Sequence, residues 1–148
     1  MAETLGSLCD KLTIVKLKQY HSDDRLKTES LEKQERQLCE EIDVFLDAAL
    51  SGKIEPEKLT FQANKVYKKE GNELGILKSD ALGAVFAELA QVNCDLWHEQ
   101  EKVYEFETVP VAQKDLVVKQ LALLNLKRNQ CIDAIDQALV KLVQNKGV

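Results

Sequence analysis

Apolar residues recur at steps of three and four along almost the whole chain. In the first segment, Leu5, Leu8, Leu12 and Val15 form one such stripe. This spacing is typical of amphipathic α-helices, because the side chains of a half-buried strand would alternate at every second residue. Turn residues are also scarce, with six Gly and two Pro in 148 residues. The pattern therefore predicts an all-α fold.

Breaks in this pattern divide the chain into five predicted helices. Ser and Asp favour helix N-termini, Pro56 fits a first helical turn, and Gly52 fits the position after a helix. The predicted helices cover residues 4 or 7 to 21, 22–24 to just before 52, 56 to about 70, 79 or 80 to 107, and 111 to 145. The last two would be ~42 and ~52 Å long. We expect one domain, residues 1–148, folded as an antiparallel bundle of four to five helices, several of them long.

Charge and cysteine usage narrow the classes of function. The chain has 20 Lys and Arg against 25 Asp and Glu, a formal charge of −5, which disfavours nucleic acid as a partner. Since no apolar run reaches the ~20 residues of a membrane span and the N-terminus lacks a signal-peptide pattern, we predict no membrane insertion. The four Cys form no paired motif, which suits a reducing cytoplasm.

The sequence contains no strong motif for catalysis, a metal or a cofactor. A di-iron bundle needs two Glu-x-x-His pairs directed inward, and Asp95 with His98 resembles only one half of that set. Cys94 and His98 lie one helical turn apart, but we expect Cys94 to be a structural thiol. The six Gly form no phosphate-binding loop. We predict no catalytic residue, no metal site and no cofactor.

Several polar residues interrupt the apolar rows of the two long C-terminal helices. Asn93, Glu99 and Gln100 fall on rows of the fourth predicted helix that should face the core, and Arg128 is the one charge on the main row of the fifth. Arg is almost never buried without a partner. Antiparallel packing would bring Asn93 level with Arg128 and Asn125 level with Leu96. Glu99 would then lie ~9 Å further along the axis.

Two further residues have alternative interpretations. Asp10 follows Ser7 by three residues, which resembles a capping box with Asp in place of Glu or Gln, but it also shares a helix face with Ile14 and His21 and could join the polar cluster. Trp97, the chain's single Trp, is either an anchor at a helix seam or subunit interface, or a stacking wall for a planar ligand.

Three stretches resemble motifs of an uncharacterised all-helical bacterial family, a domain of unknown function. They are "DKLTI" at residues 10–14, "NCDLW" at 93–97 and "LNLKRNQCIDAID" at 124–136. The resemblance implies a helical bundle that forms oligomers, and a link in some members to genes for cell-surface glycan synthesis, but no known activity. Where the family has an acidic residue three positions after the Trp, this chain has Gln100. The shared polar positions are Asp10, Lys11, Asn93, Trp97, Asn125, Arg128 and Asp136.

Two functional hypotheses follow from these observations. The first is a cytoplasmic helical-bundle protein that self-associates, most simply as a dimer, and acts as an interaction or accessory module for protein partners, with Asn93, Asn125 and Arg128 as a structural network. The alternative is a small-molecule binder or enzyme for an anionic ligand such as a nucleotide or sugar phosphate. In that case Arg128 and Lys11 would hold the anion, Trp97 would stack, and Asp10 or Glu99 would act as general base.

Overall fold

The protein is all-α in a computed structural model that describes residues 2–61, 77 and 79–145. Within these ranges there are four α-helices, two 3₁₀ turns and no strand, which confirms the predicted fold class. The helices are α1 (Leu5–His21), α2 (Arg25–Leu50), α3 (Leu82–Tyr104) and α4 (Val111–Asn145), and the 3₁₀ turns are Pro56–Lys58 and Phe106–Thr108.

The predicted helix boundaries agree best for α1, α2 and α4. The α3 helix begins later than predicted because the Ser79 hydroxyl accepts the Ala81 amide and shapes the turn before the helix. It ends earlier because the 3₁₀ turn Phe106–Thr108 replaces its last turn. Of the third predicted helix, only the 3₁₀ turn Pro56–Lys58 is present up to residue 61. The remainder of that prediction lies outside the described residues.

The N-terminus of α1 is capped by Thr4 and not by the residues that the sequence pattern indicated. The Thr4 hydroxyl accepts the Ser7 amide at 3.2 Å, and the Ser7 hydroxyl accepts the Thr4 amide at 3.0 Å. This reciprocal pair is a capping box shifted by three residues from the predicted one. The capping interpretation of Asp10 is therefore wrong, and Asp10 lies in the second turn of the helix.

Helix α1 contacts each of the other three helices. It runs antiparallel to α2 after the short turn at residues 22–24. It is parallel to α3, since Thr13 contacts Asn93 and His21 contacts Trp97. It is antiparallel to α4, because Gly6 lies beside Asp136 whereas Asp10 lies beside Arg128. The α1–α2 turn and the α3–α4 turn consequently lie at the same end of the bundle, which we call the turn end.

The hydrophobic core lies toward the opposite end of the bundle. Its main cluster joins the start of α1, the end of α2, the start of α3 and the second half of α4, and consists of Leu5, Cys9, Ala49, Leu59, Val85, Leu89, Cys131, Ile132, Ile135 and Leu139. A smaller cluster of Leu8, Val15 and Leu38 joins α1 to α2. On α3 no residue after Asn93 is buried, and on α4 only Val117 is buried before Leu124.

Gly6 permits the closest approach between α1 and α4. A Cβ atom added at this position would lie 2.3 Å from the backbone oxygen of Ile132 and 2.9 Å from the Asp136 carboxylate. Backbone cannot move aside as a flexible side chain can, so the two helices would have to separate. The absence of a side chain at residue 6 thus sets the distance between these helices.

We expect Gly6→Ala to lower the free energy of unfolding by about 2 kcal/mol, the usual cost of overpacking a fitted contact. Chemical denaturation measures this change. Gly83→Ala is the matched control, because a Cβ there meets nothing within 4 Å and Ala favours the helix by up to ~1 kcal/mol. Equal stability of the two variants would contradict the close contact.

Candidate functional site

A buried carboxylate in the second turn of α1 joins three helices. Asp10, 4% exposed, accepts hydrogen bonds from Arg128 of α4, with Nε 2.8 Å from Oδ1 and Nη2 bonded to Oδ2. Asn93 of α3 donates its side-chain amide to Asp10 Oδ1 at 3.0 Å and to Thr13 Oγ1 at 2.7 Å. These four residues, Asp10, Thr13, Asn93 and Arg128, form what we call the Asp10 cluster.

The charges within the Asp10 cluster are matched. Arg128 binds both carboxylate oxygens of Asp10, a geometry that gives strong and direction-specific pairing. Hydrogen bonding to Asp10 raises the pKa of the Arg128 guanidinium above its ordinary value, while burial acts in the opposite direction. The Arg128 side chain keeps 31% of its surface exposed, so its cost of desolvation is smaller than that of Asp10. Neither charge is left buried without a partner.

The sequence predictions for this cluster are partly correct. Asn93 and Arg128 do lie at the same level along the bundle axis. Arg128 also has an ionic partner, as expected for a charge among apolar core positions. That partner is Asp10 of α1, so Asp10 connects the two other residues. Thr13 was missed, although its position three residues after Asp10 places its hydroxyl on the same helix face. Its hydroxyl also donates to the Asp10 carbonyl at 2.8 Å.

Three other predicted site residues lie outside the Asp10 cluster. Lys11 is exposed and pairs with Glu3, because consecutive helix residues point ~100° apart. Glu99 does not bridge the gap to Arg128 but pairs with Lys102 at 2.8 Å. Asn125 is exposed, and its side-chain amide donates to the Leu121 carbonyl at 3.1 Å. The predicted network of Asn93, Asn125 and Arg128 therefore holds only for the first and last of these residues.

Trp97 lies beyond the Asp10 cluster, near the C-terminal end of α1. Its indole N–H donates to Glu101 Oε1 at 2.9 Å, and its ring stacks on that of His21, with centroids 4.6 Å apart and planes 6° apart. The expected hydrogen-bond partner is thus present, and one ring face ties α3 to α1. His98 is exposed on the rim, 3.9 Å from Glu101. Trp97 also lines an open groove.

A second buried carboxylate lies where α1 and α4 are closest. Asp136, 2% exposed, accepts the Gly6 amide at 2.7 Å. Burial raises the pKa of Asp136 to about 6, although hydrogen bonds from Gly6 and Thr4 partly oppose this rise. The carboxylate has no cationic partner within the described part of the chain, in contrast to Asp10.

Two of the four cysteines are part of the protein interior. Cys9 and Cys131 are buried, and desolvation raises the pKa of each thiol to about 11, which disfavours the nucleophilic thiolate. Cys94 is half-buried and Cys39 is exposed. Over residues 2–61, 77 and 79–145, no group of three His, Cys, Asp or Glu is arranged to hold a metal ion.

Comparisons with protein-family models, curated proteins and solved structures give no match for this chain. Within the described ranges, no helix combines the length and apolar character required to cross a membrane.

The contribution of Asp136 to the stability of the fold depends on pH. An Asp in the unfolded chain titrates near ~3.9, so a folded pKa of about 6 means that the folded state binds this proton more tightly. The stabilisation is complete below pH ~4 and is lost as the pH rises through about 6. The loss is about 2 to 3 kcal/mol, since one pKa unit corresponds to ~1.4 kcal/mol.

We expect Asp136→Asn to gain about 2 to 3 kcal/mol in unfolding free energy relative to the wild type between pH 4 and pH 7.5. The neutral amide keeps an oxygen that can accept the Gly6 amide but does not titrate. Denaturation curves at a series of pH values measure this difference, and Asp115→Asn, a change at an exposed position of α4, provides the baseline. A difference that stays constant with pH would show that Asp136 does not titrate in this range.

Proposed function

We propose that this protein is a self-associating helical-bundle module that acts through protein–protein interaction. The observation that carries the proposal is the lack of burial at the turn end of the α3–α4 hairpin. Residues 94–104 of α3 and 111–123 of α4, which we call the hairpin arm, contain Val117 as their single buried residue. Two helices alone cannot bury all of their apolar faces, so the arm requires a further layer of packing.

Large apolar side chains on the hairpin arm are open to solvent. Leu116 is 65% and Val118 56% exposed, and Tyr104 and Val111 are more exposed still. Leu96 and Leu121 are half-buried. Leu116 and Val118 border the buried Val117 on opposite sides of α4, and large exposed apolar side chains beside a helix seam are typical of interaction sites. Because α1 ends at His21, it cannot cover all of the apolar surface of the arm.

A second copy of the chain is the occupant that fits the hairpin arm best. Residues 94–104 carry three acidic side chains and one Lys, whereas residues 111–123 carry two Lys and one Asp. If two arms pack around a two-fold axis, the acidic helix of one copy can lie against the more basic helix of the other. Four helices then share one core, as in a four-helix bundle. Two-fold dimers are also the commonest closed assemblies.

The Asp10 cluster supports a structural role for the polar residues within this module. The Arg128 groups that would hold an anion are bound to Asp10, and Lys11 is bound to Glu3. A ligand at Arg128 would have to displace a buried carboxylate from its partner, which is costly. The anion site that the sequence suggested at Arg128 and Lys11 is therefore the less favoured proposal.

We further propose a cytoplasmic location. The four cysteines are free thiols, as expected for a reducing compartment. A bacterial origin and a link to cell-surface glycan synthesis remain predictions from the family resemblance.

The double variant Leu116→Glu/Val118→Glu tests the proposed dimer. We expect the wild type to elute with the mass of a dimer in size-exclusion chromatography with light scattering, and the double variant to elute as a folded monomer. Both positions are exposed within one chain, so the helix itself tolerates Glu.

Val44→Glu/Leu142→Glu is the matched control, because Val44 and Leu142 are also exposed, at 69% and 53%, but lie outside the hairpin arm. This variant should remain dimeric. A monomeric wild type at high micromolar concentration, or an identical mass for both double variants, would overturn the proposal.

A further inference from the structure

An open groove lies at the turn end, between the last turn of α1, the first turns of α2 and Trp97 of α3. Its volume is ≈370 Å³, and its lining residues are Lys18, His21, Ser22, Lys27, Ser30, Leu31 and Trp97. Ligand pockets typically span ~300 to 1,000 Å³, so this groove suits a small molecule. It is separate from the Asp10 cluster, none of whose residues lines it.

The groove is lined by two lysines whose charge no described residue neutralises through an ion pair. Neither Lys18 nor Lys27 forms an ion pair within the described ranges. Other lysines do, among them Lys11, Lys16, Lys58, Lys102, Lys127 and Lys141. None of the described residues that line the groove is acidic. The nearby Asp24 carboxylate is the N-cap of α2 and accepts the amides of Leu26 and Lys27. In a chain of net charge −5, this arrangement selects an anion.

Hydrogen-bond donors accompany the two lysines. Ser22 and Ser30 line the groove, and their hydroxyls form no hydrogen bond within the described part of the protein. Lys ammonium groups and hydroxyls are common ligands of phosphate oxygens, which accept several charge-assisted hydrogen bonds at once. A phosphate group satisfies both kinds of donor better than a carboxylate, because it presents three acceptor oxygens.

The remaining wall of the groove is apolar. Leu31 and the indole of Trp97 line it, and the stacking of His21 on Trp97 fixes the orientation of the indole. This apolar wall offers no favourable contact to inorganic phosphate, but it can contact the ring of a sugar or a base. The ligand that matches both parts has a phosphate group at one end and a ring at the other.

We infer that this groove binds a small phosphomonoester that carries a ring, with the phosphate at Lys18 and Lys27 and the ring against Trp97. This binding activity goes beyond the proposed self-association and does not depend on it. It also replaces the anion site that the sequence suggested at Arg128 and Lys11.

Intrinsic fluorescence gives a direct test, because Trp97 is the single Trp of the chain and lines the groove. The wild type is titrated with AMP, glucose 6-phosphate, inorganic phosphate and adenosine. We expect a saturable change with at least one of the two phosphomonoesters, and binding of that ester at least about tenfold tighter than that of inorganic phosphate or adenosine. Raising the salt concentration should weaken the binding.

The variant Lys18→Gln/Lys27→Gln should weaken binding of that ester by about tenfold or more, since it removes both charge-assisted contacts. Lys33→Gln/Lys53→Gln is the matched control, because both lysines are exposed, neither lines the groove, and their replacement changes the net charge equally. Circular dichroism verifies that both variants are folded. The inference would be overturned if neither ester bound saturably. It would also be overturned if adenosine or inorganic phosphate bound as tightly as the esters, or if the two variants weakened binding equally.

Repeating the titration with Leu116→Glu/Val118→Glu separates the two proposals. Unchanged ester affinity in a monomeric variant is the expected result, because the groove is built within one chain. Loss of ester binding on dissociation would overturn the assignment of the groove to a single chain, whatever the outcome for the dimer itself.

Discussion

The structure depends on one ion pair, between the buried Asp10 carboxylate of α1 and the Arg128 guanidinium of α4. A carboxylate in this position is costly unless its partner and hydrogen-bond donors are in place. Arg128 and Asn93 provide them from two different helices. Any rotation or sliding of α1 would leave a charge buried without a partner, so the pair fixes the register of three helices at once. The absence of a side chain at Gly6 then lets α1 and α4 approach closely.

This arrangement has consequences for the rest of the molecule. Because α1 ends at His21, eleven residues after Asp10, the antiparallel pairing of Asp10 with Arg128 brings its end level with about residue 117, and the first turns of α4 extend beyond it. The hairpin arm includes these turns, and it carries the proposed dimer interface. The same alignment brings His21 against Trp97 and the start of α2 beside them, which creates the groove. Both proposed functional surfaces thus follow from the register that the ion pair sets.

Local periodicity predicted the helices well, since the sequence indicated the bounds of α4 and the end of α1. It also predicted that Arg128 needs a partner and that Asn93 lies level with it. For Asp10 the sequence left two interpretations open, a helix cap or a member of the polar cluster, because the spacing of Ser7 and Asp10 imitates a capping box; the structure supports the second. The predicted approach of Glu99 to Arg128 was wrong for a related reason. Helical spacing shows which face of a helix a side chain occupies, but it does not show that the nearby Lys102 will pair with Glu99. The groove depends on how the last turn of α1, the start of α2 and Trp97 of α3 come together, which no local pattern encodes.

A double-mutant cycle on Asp10 and Arg128 tests the central claim most directly. The free energy of unfolding is measured for the wild type, Asp10→Leu, Arg128→Met and the double variant. We predict that Arg128→Met alone costs ~3 to 5 kcal/mol, because it leaves a buried carboxylate unpaired. Asp10→Leu alone should cost at least ~2 kcal/mol, because Arg128 and Asn93 lose their acceptor. The double variant should be no less stable than Arg128→Met, which together with that cost corresponds to a coupling of at least ~2 kcal/mol. Additive effects, with a coupling near zero, would contradict the account.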